Sequence, residues 1–374
     1  MGMSGRAAAL PHVCFVAPAI YPVLSGSTSI ETVGGAEVQQ TILARALRQA
    51  GYRVTVVTMD YGQPADTEID GIRVLRAHTP HGGLPGLRFV HPRITRLWQA
   101  MALADADVYY QRASGMLTGL VAQFCAARGR RFVYAAASDA DFYPQLPLIR
   151  YARDKWCYRR GLRMADAVVV QNPAQQRDCL ARYGRQATIV PSCHAAPAGA
   201  HADPDGYVLW AGTVKPLKRP ELLLALARRL PQLRFRLVGG GADAALRQAA
   251  AALPNLELAG FVPYAQIDAQ FDGARVLVNT SEFEGFPNTF LQAWARGVPS
   301  VSFFDNGSRH EGRAVSCVVA DLDAMAAQLQ QLMGAPPAWQ AASARVRAYF
   351  DAHHTPQAAL RAYAGVLAPA ERAA

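Results

Sequence analysis

Residues 276–302 read VLVNTSEFEGFPNTFLQAWARGVPSVS, and this stretch constrains the chain more than any other. The apolar run Val276–Asn279 predicts a buried strand, which stops at a polar turn, Ser281-Glu282-Phe283-Glu284-Gly285. Pro287 stands where a helix would begin, since its fixed φ suits a first turn and its missing N–H is not needed there. Phe290, Leu291 and Trp294 recur at helical spacing, so a helix is expected from about Asn288 to Arg296 with those three facing inward. Gly297 is placed to cap it in the left-handed conformation, and Pro299 prevents its return. Strand, carboxylate-bearing loop and helix N-terminus together make a place for an anionic ligand. First-turn N–H groups point at phosphate, and Glu284 stands beside them to contact neutral hydroxyls.

The rest of the chain alternates strands and helices in two runs. Val13–Ala17 reads as a buried strand, followed by a Gly/Ser/Thr-rich loop and Gly34-Gly35-Ala36-Glu37. A helix then runs to Ala50 with Val38, Ile42, Ala46 and Leu47 on one face, Gly51 caps it, and Val54–Thr58 is the next strand. Further strands are expected at Ile72–Arg76, Asp107–Gln111, Phe132–Ala136, Ala167–Val170 and Thr188–Val190, with helices at Leu117–Ala127 and Gln175–Tyr183. His194–Asp205 is rich in Ala and Pro without apolar periodicity and reads as a linker. The second run has strands Tyr207–Trp210, Arg234–Val238 and Leu256–Leu258 and helices Glu221–Leu230, Ala244–Ala252 and Tyr264–Phe271, and it leads into the 276–302 stretch. The expected class is α/β, with two successive doubly wound, Rossmann-like domains at 1–194 and 205–349.

A chain of 374 residues is ample for two cores, and 51% hydrophobic with 18% charged residues is the composition of a globular protein. The six cysteines form no C-x-x-C pair, which fits a reducing compartment better than a disulfide framework or zinc site. Ala7–Leu24 imitates a signal peptide, but Pro11 and His12 interrupt it, and no apolar run approaches the ~20 residues of a membrane span. A cytoplasmic location is expected. The net charge of +10 is uneven: residues 1–192 hold 22 Lys+Arg against 13 Asp+Glu, the remainder 16 against 15. The first half therefore meets something acidic or a membrane surface. Nucleic acid is set aside because no nucleic-acid-binding motif accompanies the basic residues.

Trp210-Ala211-Gly212-Thr213-Val214-Lys215-Pro216-Leu217-Lys218-Arg219-Pro220 follows a strand and precedes a helix, where doubly wound domains bind ligands. This element and the EGFPN stretch resemble the retaining nucleotide-sugar glycosyltransferases of family 4. That family's signature is a Glu, seven residues and a second Glu. Glu284 matches the first position, and the second is Gln292. Lys218 matches the lysine of a Gly-Arg-…-Lys element, and Thr213 stands at the arginine position with Lys215 and Arg219 nearby.

The resemblance implies the GT-B architecture, two domains facing each other across a cleft, with a C-terminal helix at about 350–374 returning to the first domain. It implies a retaining, metal-independent transfer from a UDP- or GDP-type sugar, with no cofactor and no metal site. Glu284 and Lys218 would be catalytic, Glu284 holding sugar hydroxyls and Lys218 the diphosphate. Gly34, Gly35, Gly212, Thr213, Phe261, Val262, Phe286, Asn288, Thr289 and Gln292 would bind the donor, Gln292 at the ribose. Eight residues separate 284 from 292, roughly 12 Å if helical throughout. An amide at 292 still hydrogen-bonds a hydroxyl, without the charge-assisted strength of a carboxylate. The acceptor would be a glycan or a polyprenyl-diphosphate-linked sugar, in cell-surface polysaccharide or glycoconjugate synthesis. A GT-B nucleotide-sugar 2-epimerase and a nucleotide-sugar-binding protein without catalysis are the alternatives.

Other features are weaker. Gly239-Gly240-Gly241 reads as a flexible turn, and Gly260-Phe261-Val262 is either a nucleobase loop or an ordinary strand end. Four Asp-x-Asp pairs raise the metal-dependent GT-A alternative. Asp105/Asp107 reads as a helix end, Asp203/Asp205 as linker and Asp321/Asp323 as an N-cap. Asp139/Asp141 follows a buried strand and, with Arg112, is a candidate acceptor-side contact or a helix cap. Phe142–Arg163 holds six Lys/Arg against one acid, with Tyr143, Leu148, Tyr151 and Trp156 among its interleaved apolar residues. It is either a peripheral contact with an anionic membrane surface or a helix whose aromatic face is core.

Overall fold

The computed structural model describes residues 10–27, 34–80, 89–195, 199, 201–282, 284 and 286–368. Phe283, Gly285 and linker residues 196–198 and 200 lie outside them. Two compact units emerge. One comprises Met1–Ser25, Ala36–Pro191 and Ala359–Ala374, and the other Gly26–Gly35 and Ser192–Ala358.

The first unit is built on eight strands: β1 (Val13–Val16), β2 (Val54–Thr58), β3 (Asp66–Ile69), β4 (Ile72–Arg76), β5 (Val108–Arg112), β6 (Arg131–Ala135), β7 (Ala167–Val170) and β8 (Thr188–Ile189). Their order is β3-β4-β2-β1-β5-β6-β7-β8, parallel except for the antiparallel edge pair β3–β4. β1 and β2 are buried along their whole length, as strands covered on both faces must be, and they carry near-continuous apolar runs. β3, with sequence DTEI, alternates exposed and half-buried residues, and its charges blunt the sheet edge. Tyr109, Phe124, Phe132, Tyr134 and Tyr158 fill the core. Burying each such ring stabilises by about 1.5–3 kcal/mol. Helices Met116–Arg128 and Ala152–Met164 pack backbone to backbone at Gly119 and Gly161. A Cβ on Gly161 would sit 2.5 Å from the Thr118 carbonyl oxygen. The returning helix Pro356–Leu367 is fixed to this unit by Tyr363, whose hydroxyl is 3.0 Å from that of Tyr110, and by the Val366 carbonyl, which accepts from Arg131.

The second unit holds β9 (Tyr207–Ala211), β10 (Phe235–Val238), β11 (Leu256–Gly260), β12 (Ala274–Asn279) and β13 (Ser300–Ser302), a small hairpin of β14 (Arg309–His310) and β15 (Arg313–Ala314), and β16 (Cys317–Val318). The order β11-β10-β9-β12-β13-β16 is wholly parallel. Alternate residues serve opposite faces. Val208, Trp210, Val276 and Val278 join a core with Leu226 and Met325, while Leu209 and Leu277 join one with Phe290, Trp294 and Phe350.

Several expected boundaries shift. The helix after β12 is Asn288–Trp294, with Pro287 as its N-cap in extended geometry rather than its first residue. Gly297 does take the left-handed conformation, at φ 73°. The segment 264–271 is a short 3-10 turn, Tyr264–Gln266, followed by the helix Asp268–Asp272, because Gly273 and the buried Phe271 leave room for little more than a turn. The chain rejoins the first unit at Ala359 rather than near 350, since the helix Pro336–His353 buries Val346 and Phe350 in the second.

Candidate functional site

In the second sheet the chain steps from β9 to β10 to β11 on one side, then crosses to β12 on the other. The loops leaving β9 and β12 therefore diverge at a topological switch point, on the edge where all the carboxyl ends of these strands lie. Both carry predicted residues. After β9 come Gly212 and Thr213, a single 3-10 turn Pro216–Lys218, and the helix Pro220–Arg229. After β12 come Thr280, Ser281, Glu284 and the helix bearing Asn288, Thr289 and Gln292.

The two loops are laced together. Thr280 is fully buried; its hydroxyl accepts from Trp210 Nε1 at 2.8 Å and donates to the Lys218 carbonyl at 2.6 Å. The Glu282 N–H donates to the Leu217 carbonyl at 3.0 Å. Arg219, at φ 46°, donates to the Thr280 and Ser281 carbonyls and lies over the Phe303 ring at 5.0 Å. It thereby braces the two loops. Lys215 and Thr213 are exposed.

At the mouth of the crevice Lys218 Nζ pairs with Glu284 Oε1, and the same carboxylate oxygen accepts from Ser281 Oγ at 2.8 Å. The two side chains keep 27% and 16% of their surface exposed, so both remain reachable by a ligand. The sequence named both residues but neither their pairing nor the contacts of Ser281 and Thr280, whose small hydroxyls carry no spacing pattern.

The neighbouring loops complete this edge. The Gly212 N–H donates to Val238 O, the Gly239 N–H to Gly260 O and the Val214 N–H to Gly240 O, all within 2.8–2.9 Å. Gly239 is no flexible turn: a Cβ there would lie 1.8 Å from the Gly212 carbonyl oxygen. Phe261 and Val262 are half-buried just beyond Gly260. Phe286 is packed rather than presented, edge-on to Trp294 at 5.8 Å and over His354 at 4.9 Å. Gln292 is 5% exposed, on the inner face of its helix. Only the second half of 284–292 is helical, so the 12 Å helical span does not apply.

Gly34 and Gly35, grouped with the second unit, are exposed at the start of the helix Gly35–Gln49, whose remainder belongs to the first unit and its eight-stranded sheet. Arg112 ends β5, and Asp139 begins a 3-10 turn after β6, both at the carboxyl edge of that sheet. Asp139 accepts from Gln175 Nε2 at 2.7 Å. Asp141 is corrected: it is fully buried and accepts from Ser114, Tyr134 and the Ala137 and Ser138 N–H groups, so it caps the turn instead of meeting an acceptor. Burial raises its pKa against the pull of those donors. The other Asp-x-Asp pairs also have partners within the protein, Asp107 accepting from the His12 N–H, Asp203 from the Asp205 N–H and Asp321 from Ala324 as N-cap.

The 142–163 segment divides between its two readings. Phe142, Leu146, Tyr158 and Leu162 are core, while Leu148, Tyr151 and Trp156 are 64%, 54% and 62% exposed. Arg150 and Arg153 flank the Tyr151 ring, and Arg160 lies over Trp156. No helix among the described residues is long and apolar enough to cross a membrane.

Residues 34–193 match the family model described as a glycosyl transferase 4-like domain, and residues 205–335 the model of glycosyl transferases group 1. The chain is 29% identical over 290 residues to a GDP-mannose-dependent alpha-mannosyltransferase of Mycolicibacterium smegmatis, covering 70% of this chain and 74% of that protein. Its fold resembles sucrose-phosphate synthase from Thermosynechococcus elongatus, with a TM-score of 0.72, 19% identity, and 95% and 98% of the two chains covered. It also resembles HepE from Anabaena in complex with UDP and glucose, with a TM-score of 0.71, 16% identity and the same coverage. At those identities the structural likeness concerns the fold, GT-B, alone. With one glycosyltransferase model on each unit and the crevice of the second carrying Lys218 and Glu284, the chain belongs to the family 4 glycosyltransferases of GT-B fold, enzymes that draw their sugar from a nucleotide-sugar donor.

Proposed function

We propose that the chain is a retaining, metal-independent hexosyltransferase that moves a sugar from a nucleoside-diphosphate donor to a glycan or polyprenyl-diphosphate-linked acceptor in cell-surface glycoconjugate synthesis. The observation that carries this reading is the Lys218–Glu284 pair, held by Ser281 at the switch point of the second sheet. Without ligand the two charges neutralise each other. A donor diphosphate entering the crevice is a stronger partner for Lys218, and its arrival releases Glu284 to accept from hydroxyls of the sugar. The reaction builds negative charge on the leaving diphosphate, so Lys218 and the N–H groups at Asn288 and Thr289 act mainly in the transition state. The acceptor hydroxyl attacks from the leaving-group face and its proton passes to the diphosphate, so no side chain serves as base. Gly212, Thr213, Phe261, Val262 and Gln292 hold the nucleotide, with Gly34 and Gly35 at the phosphates. Arg112 and Asp139 face the acceptor.

GDP-mannose, the donor of the mycobacterial relative, and UDP-glucose, whose parts were bound to HepE, head the list of donors to test. A thermal-shift screen of nucleotides and nucleotide sugars, with EDTA and with added Mn²⁺ or Mg²⁺, is expected to raise the melting temperature with one nucleotide class regardless of metal. NMR of the product should show the donor's anomeric configuration. Stabilisation only with metal, or an inverted product, rejects the reading.

The exposed Leu148, Tyr151 and Trp156 among Lys155 and five arginines fit a cytoplasmic enzyme resting on an anionic membrane face. Flotation with phosphatidylglycerol vesicles should carry the protein up, and phosphatidylcholine vesicles should not. The Leu148→Ser/Trp156→Ala variant should float at least fivefold less. Equal flotation of variant and wild type removes the membrane contact from this segment.

A further inference from the structure

His354 caps the helix Pro336–His353 and is 1% exposed. Two of the places where the chain passes from one unit to the other, Pro191/Ser192 and Ala358/Ala359, lie close to it in sequence or in space. Its ring Nδ1 is 2.7 Å from the Ser192 carbonyl, and its own carbonyl accepts from the His194 N–H at 2.9 Å. His354 thus ties the two passages to one another. The same ring lies 4.9 Å from Phe286, inclined by 35°, and Phe286 belongs to the loop that carries Glu284.

A second, polar route runs in parallel. His194 Nε2 is 3.5 Å from Asp268 Oδ1, which is 3.3 Å from Arg296 Nη2; these are charge-pair distances, and none of the three atoms makes a hydrogen bond. Arg296, whose side chain is wholly buried, donates from Nη1 to the Gln292 carbonyl at 3.1 Å. Both routes start at the passages and end on the segment 284–292. Ordinary core packing explains an aromatic ring at 354. It does not require an imidazole there, with Nδ1–H given to a carbonyl and Nε2 left buried without a partner.

We propose that His354 is a positioning residue that couples the two chain passages to the donor loop, its Nδ1–H fixing the passages and its ring fixing Phe286. Burial holds the imidazole neutral, with its pKa lowered to about 4, so this bond persists unchanged across the working pH range. The inference rests on the reading of 284–292 as the donor site.

Two substitutions separate the halves of the role. His354→Asn keeps an N–H for Ser192 and removes the ring. It is expected to raise the donor KM about five- to tenfold with kcat within twofold of wild type. His354→Phe keeps a ring on Phe286 and removes the N–H. It is expected to leave the donor KM within twofold and lower kcat about five- to tenfold. Both are measured on the purified full chain with the donor identified by the nucleotide screen. Unaltered KM and kcat in both folded variants, with only a lowered melting temperature, overturn the coupling and leave His354 as packing. If His354→Phe does not fold, an unaltered KM in His354→Asn alone overturns it. Absence of nucleotide binding by the wild-type chain instead rejects the donor-site reading itself, and is told apart by that control.

Discussion

Glu284→Ala is expected to lower turnover by about 100-fold or more while the protein stays folded. The carboxylate is asked to orient the sugar, and misplacing a reacting centre by about 1 Å costs on the order of 10²-fold. Stability should change little. The Lys218 ammonium left behind keeps 27% of its surface in water, which limits the cost of leaving it without its partner. Glu284→Gln retains an acceptor for one hydroxyl and should recover part of the rate. Steady-state kinetics with the identified donor, beside a thermal melt, decide the matter. Near-normal turnover by folded Glu284→Ala removes Glu284 from the reaction.

Lys218→Ala should lose about 10²–10³-fold in kcat, the magnitude typical of deleting one group aimed at charge that develops in the transition state. Its effect on donor KM should be smaller, because the ground-state diphosphate already carries most of its charge and meets other N–H groups. Lys218→Arg is not expected to restore the rate, since a planar fork cannot replace a point charge in a turn of three residues. The double variant with Glu284→Ala should fall no more than about tenfold below either single one, because groups that act as a unit are not additive. Fully multiplicative losses would mean that the two residues work independently and that their pairing in the free protein is incidental.

Much of the fold was legible because parallel strands covered on both faces must be apolar throughout. Val54–Thr58 and Ala167–Val170 were read to the residue on that ground, and Ile72–Arg76 from its buried Ile72, Val74 and Leu75. β3 was not read: DTEI is an edge strand of alternating charge, with no apolar signal. The helices Leu322–Gly334 and Pro336–His353 were missed apart from Asp321, correctly read as an N-cap. In the candidate site, Lys218 and Glu284 could be named because a strand, a turn and a helix recur around each and both match the family's motif positions. What stayed hidden depends on contacts distant in sequence. Arg219 reaches carbonyls 61 and 62 residues on, and His354 meets a carbonyl 162 residues back. Asp141 was misplaced because a buried cap and an exposed ligand look alike in a chain of letters; only the ring of donors around its carboxylate tells them apart.

The Gly212–Gly239 contact bears on how such an enzyme could be redesigned. Two main chains that touch where a methyl group would overlap an oxygen behave as one fixed point of the scaffold. A library that randomises Gly239 samples misfolded chains rather than new substrates. Variation is tolerated on the side chains hung from that fixed point, such as exposed Thr213 and half-buried Val262, which change shape without moving the frame. If the proposed donor site is right, a new nucleotide preference is best sought there, with Gly239 kept.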